Sequence, residues 1–464
     1  MVPDATRPPH LPSRSALLAN LLRPFQEFAR TGSLGSVALF ACTLIALVWA
    51  NSPWSDAYFR LWETVVVVGP ETVPLAMSLR HWVSDGLMVV FFLLVGLEIK
   101  RELLVGELAS VRRASLPIAA AIGGMIVPAT IYALINGRGA GEPGWGIPMA
   151  TDIAFALGVL ALVGSRTPVG LKVFLAAFAI VDDMGAVLVI AVFYTSSLSW
   201  MALGAAAAIV ALLLVLNVMR VGSLVPYLLL GVLLWLTLIS SGLHATIAGV
   251  ILACTIPART HVDTERFSAR ARALVDEFDS SGTVAHPVMT SMGQQEAIHQ
   301  LDVASDDVQG PLLKLEHALH APVAFVVMPI FALANAGVRI EDVGHLALSP
   351  IALGVLTGLV IGKPIGITLF SWLSLRFLGA SLPTGVSLRM IHGVSWIGGI
   401  GFTMSLFIAG LAFSAGGQLD AAKFGILSGS IVGGTIGFLL LRTQTSPRKS
   451  AATRAERLPE EATS

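Results

Sequence analysis

Asp182 and Asp183 stand side by side in the middle of an apolar run, 171–195. Asp152 lies in another, 146–164, and Lys363 in a third, 350–375. Asp85 and Glu98 belong to a fourth, 82–103, with Glu98 near its end. In hydrocarbon a charged side chain at mid-helix costs at least about 2.5–3.5 kcal/mol, so it usually marks a functional site. Three carboxylates and one ammonium at similar depth suit proton transfer. They also suit binding of a small hard cation, which takes oxygen ligands. A set of structural ion pairs is the plainer reading, and a single pair would need no other. Adjacent helical residues point about 100° apart, so Asp182 and Asp183 cannot share one partner equally. One can face a cavity with Asp152 while the other meets a different helix, where Lys363 is the intramembrane cation available to it.

The elements that must position these residues are membrane helices. Of 464 residues, 55% are hydrophobic and 12% charged, against about 25% charged in soluble domains. That excludes an ordinary cytosolic domain and a disordered chain, and zero net charge leaves no footprint for nucleic acid. Forty-five glycines and 24 prolines fit membrane helices. Cys42 and Cys254 lie in apolar runs and give neither a disulfide framework nor a metal spacing. Residues 1–34 read as a polar, Pro-rich tail, too long for the front of a cleaved signal peptide. The run 35–51 is then a retained first helix, followed by runs at about 82–103, 115–136, 146–164, 171–195, 200–218, 223–240, 243–257, 319–338, 350–375, 390–414 and 422–441. The expected architecture is an all-α polytopic membrane protein of about twelve spans over 35–441, with a C-terminal tail at 442–464. With the N-terminus in the cytoplasm, 23 of the 29 Lys and Arg fall on the cytoplasmic side and five outside. The positive-inside rule therefore puts both termini in the cytoplasm. The long polar loop 258–318, with helix-like stretches such as Thr264–Phe278, is then cytoplasmic and too small for a core of its own. The outside stretch Val65–Val73, two short β-branched runs about Gly69-Pro70, suits a β-hairpin or a plain loop.

Spans 4 and 11 look interrupted. The first carries Gly144, Gly146, Pro148 and Thr151 ahead of Asp152; the second carries Gly398, Gly399, Gly401 and Thr403. Unwound backbone at membrane depth is tolerated only where it is buried in protein or lines a cavity. Each is the middle member of a triplet, spans 3–5 and 10–12, and the triplets run in opposite directions. That is the layout of inverted repeats, whose broken pair points to a transport site. Glycines that merely let helices pack closely would read the same way. Breaking two helices exposes partially positive N-terminal ends and partially negative C-terminal ends, which Asp152 and Lys363 are placed to offset.

At this point the motifs are specific: Phe91-Phe92-Leu93-Leu94-Val95-Gly96-Leu97-Glu98, Ala150-Thr151-Asp152-Ile153-Ala154-Phe155, Val181-Asp182-Asp183-Met184-Gly185, Gly242-Leu243-His244-Ala245-Thr246, Leu315-Glu316-His317-Ala318-Leu319-His320, Gly362-Lys363-Pro364-Ile365-Gly366 and Gly401-Phe402-Thr403-Met404-Ser405. From about residue 15 to 442 the chain resembles the NhaA family of bacterial sodium/proton antiporters. The resemblance implies crossed, broken helices 4 and 11. It implies an ion and proton site at Asp182 and Asp183, with Asp183 the more direct Na+ ligand, Thr151 assisting and Asp152 compensating helix ends. It pairs Lys363 with Asp182. It puts Glu98, Glu102, Glu316, His317 and His320 in or near a cytoplasmic pH-sensing cluster and ties His244 to the pH response. It makes the outside hairpin, 63–78, a homodimer contact. The 258–314 loop looks longer than the family's usual connection, which makes regulation through it the least transferable part.

The expected activity is exchange of cytoplasmic Na+, and also Li+, for external H+ in a bacterial inner membrane. It would move more than one proton per Na+, be activated at alkaline pH, and serve sodium extrusion and pH homeostasis. Partners beyond the lipid bilayer and a second copy are not implied, nor is any cofactor beyond the transported ions. The chain is then no enzyme. A sodium-coupled solute symporter of similar fold is the nearest alternative. An intramembrane aspartyl protease is remoter, since its aspartates face each other from two helices and the chain has no Gly-x-Gly-Asp motif.

Overall fold

The computed structural model describes residues 34–69, 75–164, 167–195, 198–258, 264–281, 291–308, 310–339, 343–413 and 416–444. The twelve apolar runs all fall on helices, which we number as spans 1 to 12. They are Leu34–Ala50, Leu79–Val105, Val111–Asn136, Glu142–Val163, Val169–Phe193, Trp200–Val218, Val225–Ile239, Ile247–Thr255, Pro311–Asn335, Pro350–Phe377, the pair Leu388–Ile397 and Phe402–Ala412, and Gly417–Gln444. Eight are long and apolar enough to cross a membrane as single helices. Span 1 continues into Ser55–Glu63 after a bend of 114°, and the two halves of span 11 meet at 50°. Spans 7 and 8 are shorter, with 15 and nine residues. At about 1.5 Å per residue neither helix alone covers a hydrocarbon layer of about 30 Å. Lys100 closes the end of span 8, its Nζ donating to Cys254 O at 2.6 Å and to Ile256 O at 2.5 Å.

The first members of the two triplets pack on each other. Span 3 lies against span 10, where a Cβ on Gly123 would run into the Gly366 carbonyl and one on Gly362 would lie 2.7 Å from Pro128 Cα. Small residues let these backbones approach, as is usual in membrane bundles. Phe92, Phe331 and Phe407 fill the space between spans 2, 9 and 11, Phe407 being 5.4 Å from Phe92 and 6.3 Å from Phe331 between ring centroids. Met201, Leu214, Leu229 and Val232 on spans 6 and 7 face outward, as lipid-facing side chains do.

Spans 2, 9 and 10 each contain a wider turn with i→i+5 bonding, at Trp82–Leu87, Val323–Val327 and Gly358–Gly362. The last two sit beside Pro322 and Pro364, prolines that remove a backbone donor. The outside hairpin is present: β1, Val65–Val68, pairs antiparallel with β2, Leu75–Ser78, with Val65 opposite Ser78. Pro70 to Pro74 of its turn, the N-terminal tail to residue 33 and the C-terminal tail from 445 lie outside the described residues. The long loop holds two helices. Thr264–Ser281 packs on Met292–Val308 through Leu274, Ala297 and Ala304. The second helix is too polar to announce itself by periodicity and gains its apolar contact only from the first. Lys423 also differs from expectation. It lies buried inside the span 12 helix, donating to Gly337 O at 3.2 Å, so Lys363 is not the sole buried basic residue of a span.

Candidate ion site

Span 4 begins as a tight 3-10 stretch, Glu142–Met149. Pro148 near its end has no N–H to continue a helix. Ala150 and Asp152 are extended, at φ/ψ of −85/148° and −89/101°, and the α-helix Ile153–Val163 starts after them. Span 11 is interrupted over Gly398–Gly401. The two interruptions face each other. Asp152 N donates to Ile400 O at 2.7 Å, Thr151 Oγ1 to Gly398 O at 2.8 Å, and Ser405 Oγ to Ile147 O at 2.7 Å. Buried backbone groups must find partners, and here each broken strand of chain supplies them to the other. A Cβ on Gly401 would run into Ser405 Oγ and lie 3.0 Å from Ala150 O, so a side chain there would have to displace Ser405 and crowd the facing backbone.

Asp152 caps two half-helices at once. Its Oδ1 accepts from Phe155 N at 3.0 Å, in the first turn of Ile153–Val163. Its Oδ2 accepts from Thr403 N at 3.1 Å and from Thr403 Oγ1, in the first turn of Phe402–Ala412. Both ends carry partial positive charge, and the buried carboxylate lies between them.

Lys363 follows directly on the wide turn of span 10, its N–H bonded to Gly358 O. It is fully buried, and its ammonium lies 5.5 Å from the centre of the Phe178 ring. Nζ donates to Asp182 Oδ2 and to Thr151 Oγ1, both at 2.7 Å. Thr151 passes the interaction on to Gly398 O, the carbonyl just past the helix Leu388–Ile397. Lys363 thus reaches the partially negative end of a half-helix through a hydroxyl, not directly. Spans 4, 5, 10 and 11 meet in this one chain of bonds.

Asp183 is buried next to that chain but outside it. Asp182 Oδ1 and Asp183 Oδ1 are both buried and have no protein partner. The charges around Asp183 are those of Asp182, Asp152, Glu98 and Lys363. Unpartnered buried oxygens are costly, and two on neighbouring carboxylates are acceptors suited to a proton or a small cation.

A second charged cluster lies at the Glu98 end of span 2. Arg101 Nη1 donates to Glu316 Oε1, and Arg101 Nη2 lies 3.4 Å from Glu102 Oε1. His320 Nε2 lies 3.6 Å from Glu316 Oε1 and 3.8 Å from Glu98 Oε1. Glu102 Oε2 accepts from Glu107 N at 3.0 Å. His317 does not join; it is exposed, with Nδ1 on Leu313 O at 2.8 Å. His244 is elsewhere too, 3.9 Å from Asp85 near the other end of span 2. Arg101, which holds the cluster together, was missed in the sequence; its place three residues after Glu98 on one helix face was the available signal.

Crossed, interrupted helices around buried carboxylates define a polytopic transporter of small cations. The sequence comparisons agree. The profile of the family described as Na+/H+ antiporter 1 matches residues 26–441, and the chain belongs to that family. Its members are transporters, not enzymes. The chain is 49% identical over 423 residues to the Na(+)/H(+) antiporter NhaA of Oleidesulfovibrio alaskensis, covering 91% of this chain and 94% of that one. It is 47% identical over 430 residues to the antiporter of the same name from Koribacter versatilis, covering 92% and 93%. For that of Wolinella succinogenes the figures are 46% over 427 residues, 92% and 94%.

Proposed function

We propose that this protein expels cytoplasmic Na+, and Li+ as well, in exchange for external H+, moving more than one proton per cation. The observation that carries this reading is the pair of unpartnered, buried oxygens on Asp182 and Asp183 beside two interrupted helices. Na+ seeks oxygen ligands, and a protonated carboxyl is a poor one. Asp183 therefore holds either Na+ or H+ and never both, which is the essence of exchange. Asp182, released from Lys363, is the second acceptor. Thr151 positions Lys363 and backs the ion site. Asp152 keeps the facing half-helices together. Rocking of one repeat against the other exposes the site to each side in turn, and two titrating groups per Na+ make exchange electrogenic.

The remaining details belong to the same reading. The protein sits in the inner membrane of a bacterium with both termini cytoplasmic, which the asymmetry of basic residues supports. Exchange rises as the cytoplasm turns alkaline, under control at the contact between spans 2 and 9. Two copies associate through the hairpin at residues 63–78. The test is purified protein in sealed vesicles, with internal pH followed as Na+, Li+, K+ or Ca2+ is added without organic solute. Na+ and Li+ should move protons, and clamping the membrane potential with K+ and valinomycin should change the rate. Proton movement that needs an organic solute would favour a symporter instead, and indifference to potential would refute the excess of protons.

A further inference from the structure

We propose that Glu98, Glu316 and His320 form a binding site for a divalent transition-metal ion, Zn2+ being the type, which clamps span 2 to span 9. Exchange itself does not require this site, and the proposal stands apart from the ion site at Asp183.

The first argument is spacing. One carboxylate oxygen from each glutamate and one imidazole nitrogen lie within 4.8 Å of one another. The His320 Nε2 distances are 3.6 Å to Glu316 Oε1 and 3.8 Å to Glu98 Oε1. Direct charge-assisted hydrogen bonds would be about 2.7–2.9 Å, so both contacts are longer than direct hydrogen bonds. Tetrahedral zinc with bonds of about 2.0–2.2 Å sets its ligand atoms roughly 3.3–3.6 Å apart. The two His320 distances exceed those of a zinc ligand set by a few tenths of an ångström at most, and the third side of the triangle is within 4.8 Å.

The second argument is an unsatisfied acceptor. Glu316 is 1% exposed, and its Oε2 has no partner, although Oε1 accepts from Arg101. The carboxylate that faces His320 through Oε1 thus keeps a second, buried oxygen able to take a cation. Charge agrees with this. The carboxylates of Glu98, Glu102 and Glu316 against the single guanidinium of Arg101 leave two negative charges, which one divalent ion balances. Arg101 then acts as the outer partner that fixes the Glu316 carboxylate, as metal ligands usually need.

The third argument is rigidity and access. Glu316 and His320 are four residues apart on one helix face, the spacing by which paired ligands chelate a metal. Glu98 comes from a different span. The His320 side chain is 21% exposed, so an ion can reach the site from solvent. One imidazole with two carboxylates suits Zn2+ better than Mg2+ or Ca2+, which prefer six or more oxygens.

The experiment uses the full chain, tag removed, in lipid nanodiscs, with Cys42 and Cys254 changed to serine. ZnCl2 is titrated calorimetrically into the parent and into His320→Ala, which keeps the Arg101–Glu316 pair. The expected result is one Zn2+ per chain, at least about tenfold weaker binding in His320→Ala, and a melting midpoint raised by Zn2+ in the parent alone. Glu316→Gln should lose binding as well; if it fails to fold, His320→Ala decides. Equal Zn2+ affinity in parent and His320→Ala, no binding at all, or equally tight binding of MgCl2 would overturn the proposal.

Discussion

Lys363 and Asp182 form an ion pair with no exposure to solvent on either side chain. Removing one partner of such a pair leaves an uncompensated buried charge, at a cost of about 3–5 kcal/mol. Lys363→Ala should therefore melt well below wild type in detergent, and Lys363→Arg less so, since charge is kept but shape is not. Adding Asp182→Asn to Lys363→Ala should recover part of the loss. Equal midpoints for wild type and Lys363→Ala would contradict the pair. Asp152→Asn removes the charge between two helix ends while keeping the shape, and should cost about 1–2 kcal/mol in the same assay. The residues of the ion site were legible in the sequence because charge in an apolar run is conspicuous. Which aspartate meets Lys363 followed from the family resemblance and not from the spacing. Adjacent residues on one helix differ only in direction, and direction depends on neighbours the sequence does not order. The same limit hid Arg101 and made His317 look like His320: both histidines sit beside Glu316, but only His320, four residues on, lies on its face.

At the level of elements, each of the twelve apolar runs falls on a helix, eight to ten of which form candidate membrane spans among the described residues, while the interruptions were legible only as glycine, proline and threonine in the wrong place. What could not be read was the kind of break. Glu142–Met149 is a 3-10 stretch and span 10 widens before Lys363; both depend on which carbonyls lose their donors in the packed bundle. Close approach at the crossing gives a sharp test. A Cβ on Gly399 would lie 2.5 Å from the Leu359 carbonyl, backbone that cannot yield cheaply. Gly399→Ala should lower stability by about 1–3 kcal/mol. Gly410→Ala, on the second half-helix of the same span with open space around it, should be neutral or slightly stabilising in the same melting assay. Equal effects would mean the crossing is not tightly packed. The hairpin and the second helix of the 258–318 loop lie at the other extreme. Four valines before a turn announce a strand, whereas Met292–Val308 has no sufficient apolar face until Thr264–Ser281 covers it.

For the whole molecule, the proposed orientation rests on the basic excess on one side, since one missed crossing would invert everything after it. A cysteine at Ser280, in a chain without its native cysteines, should be shielded from an impermeant thiol reagent added to intact cells. One at Gly139, where nothing crowds the position, should react. Reversed labelling would overturn the orientation and the inverted-repeat argument with it. In the proposed reading the fold holds two carboxylates at a crossing of broken helices, where Na+ and H+ compete. The most direct measurement of that claim is Na+-driven proton movement in sealed vesicles containing Asp183→Asn, beside wild type at matched protein content. The account expects wild type to shift internal pH on addition of Na+, and Asp183→Asn to insert normally but shift nothing. Robust exchange by Asp183→Asn would contradict it.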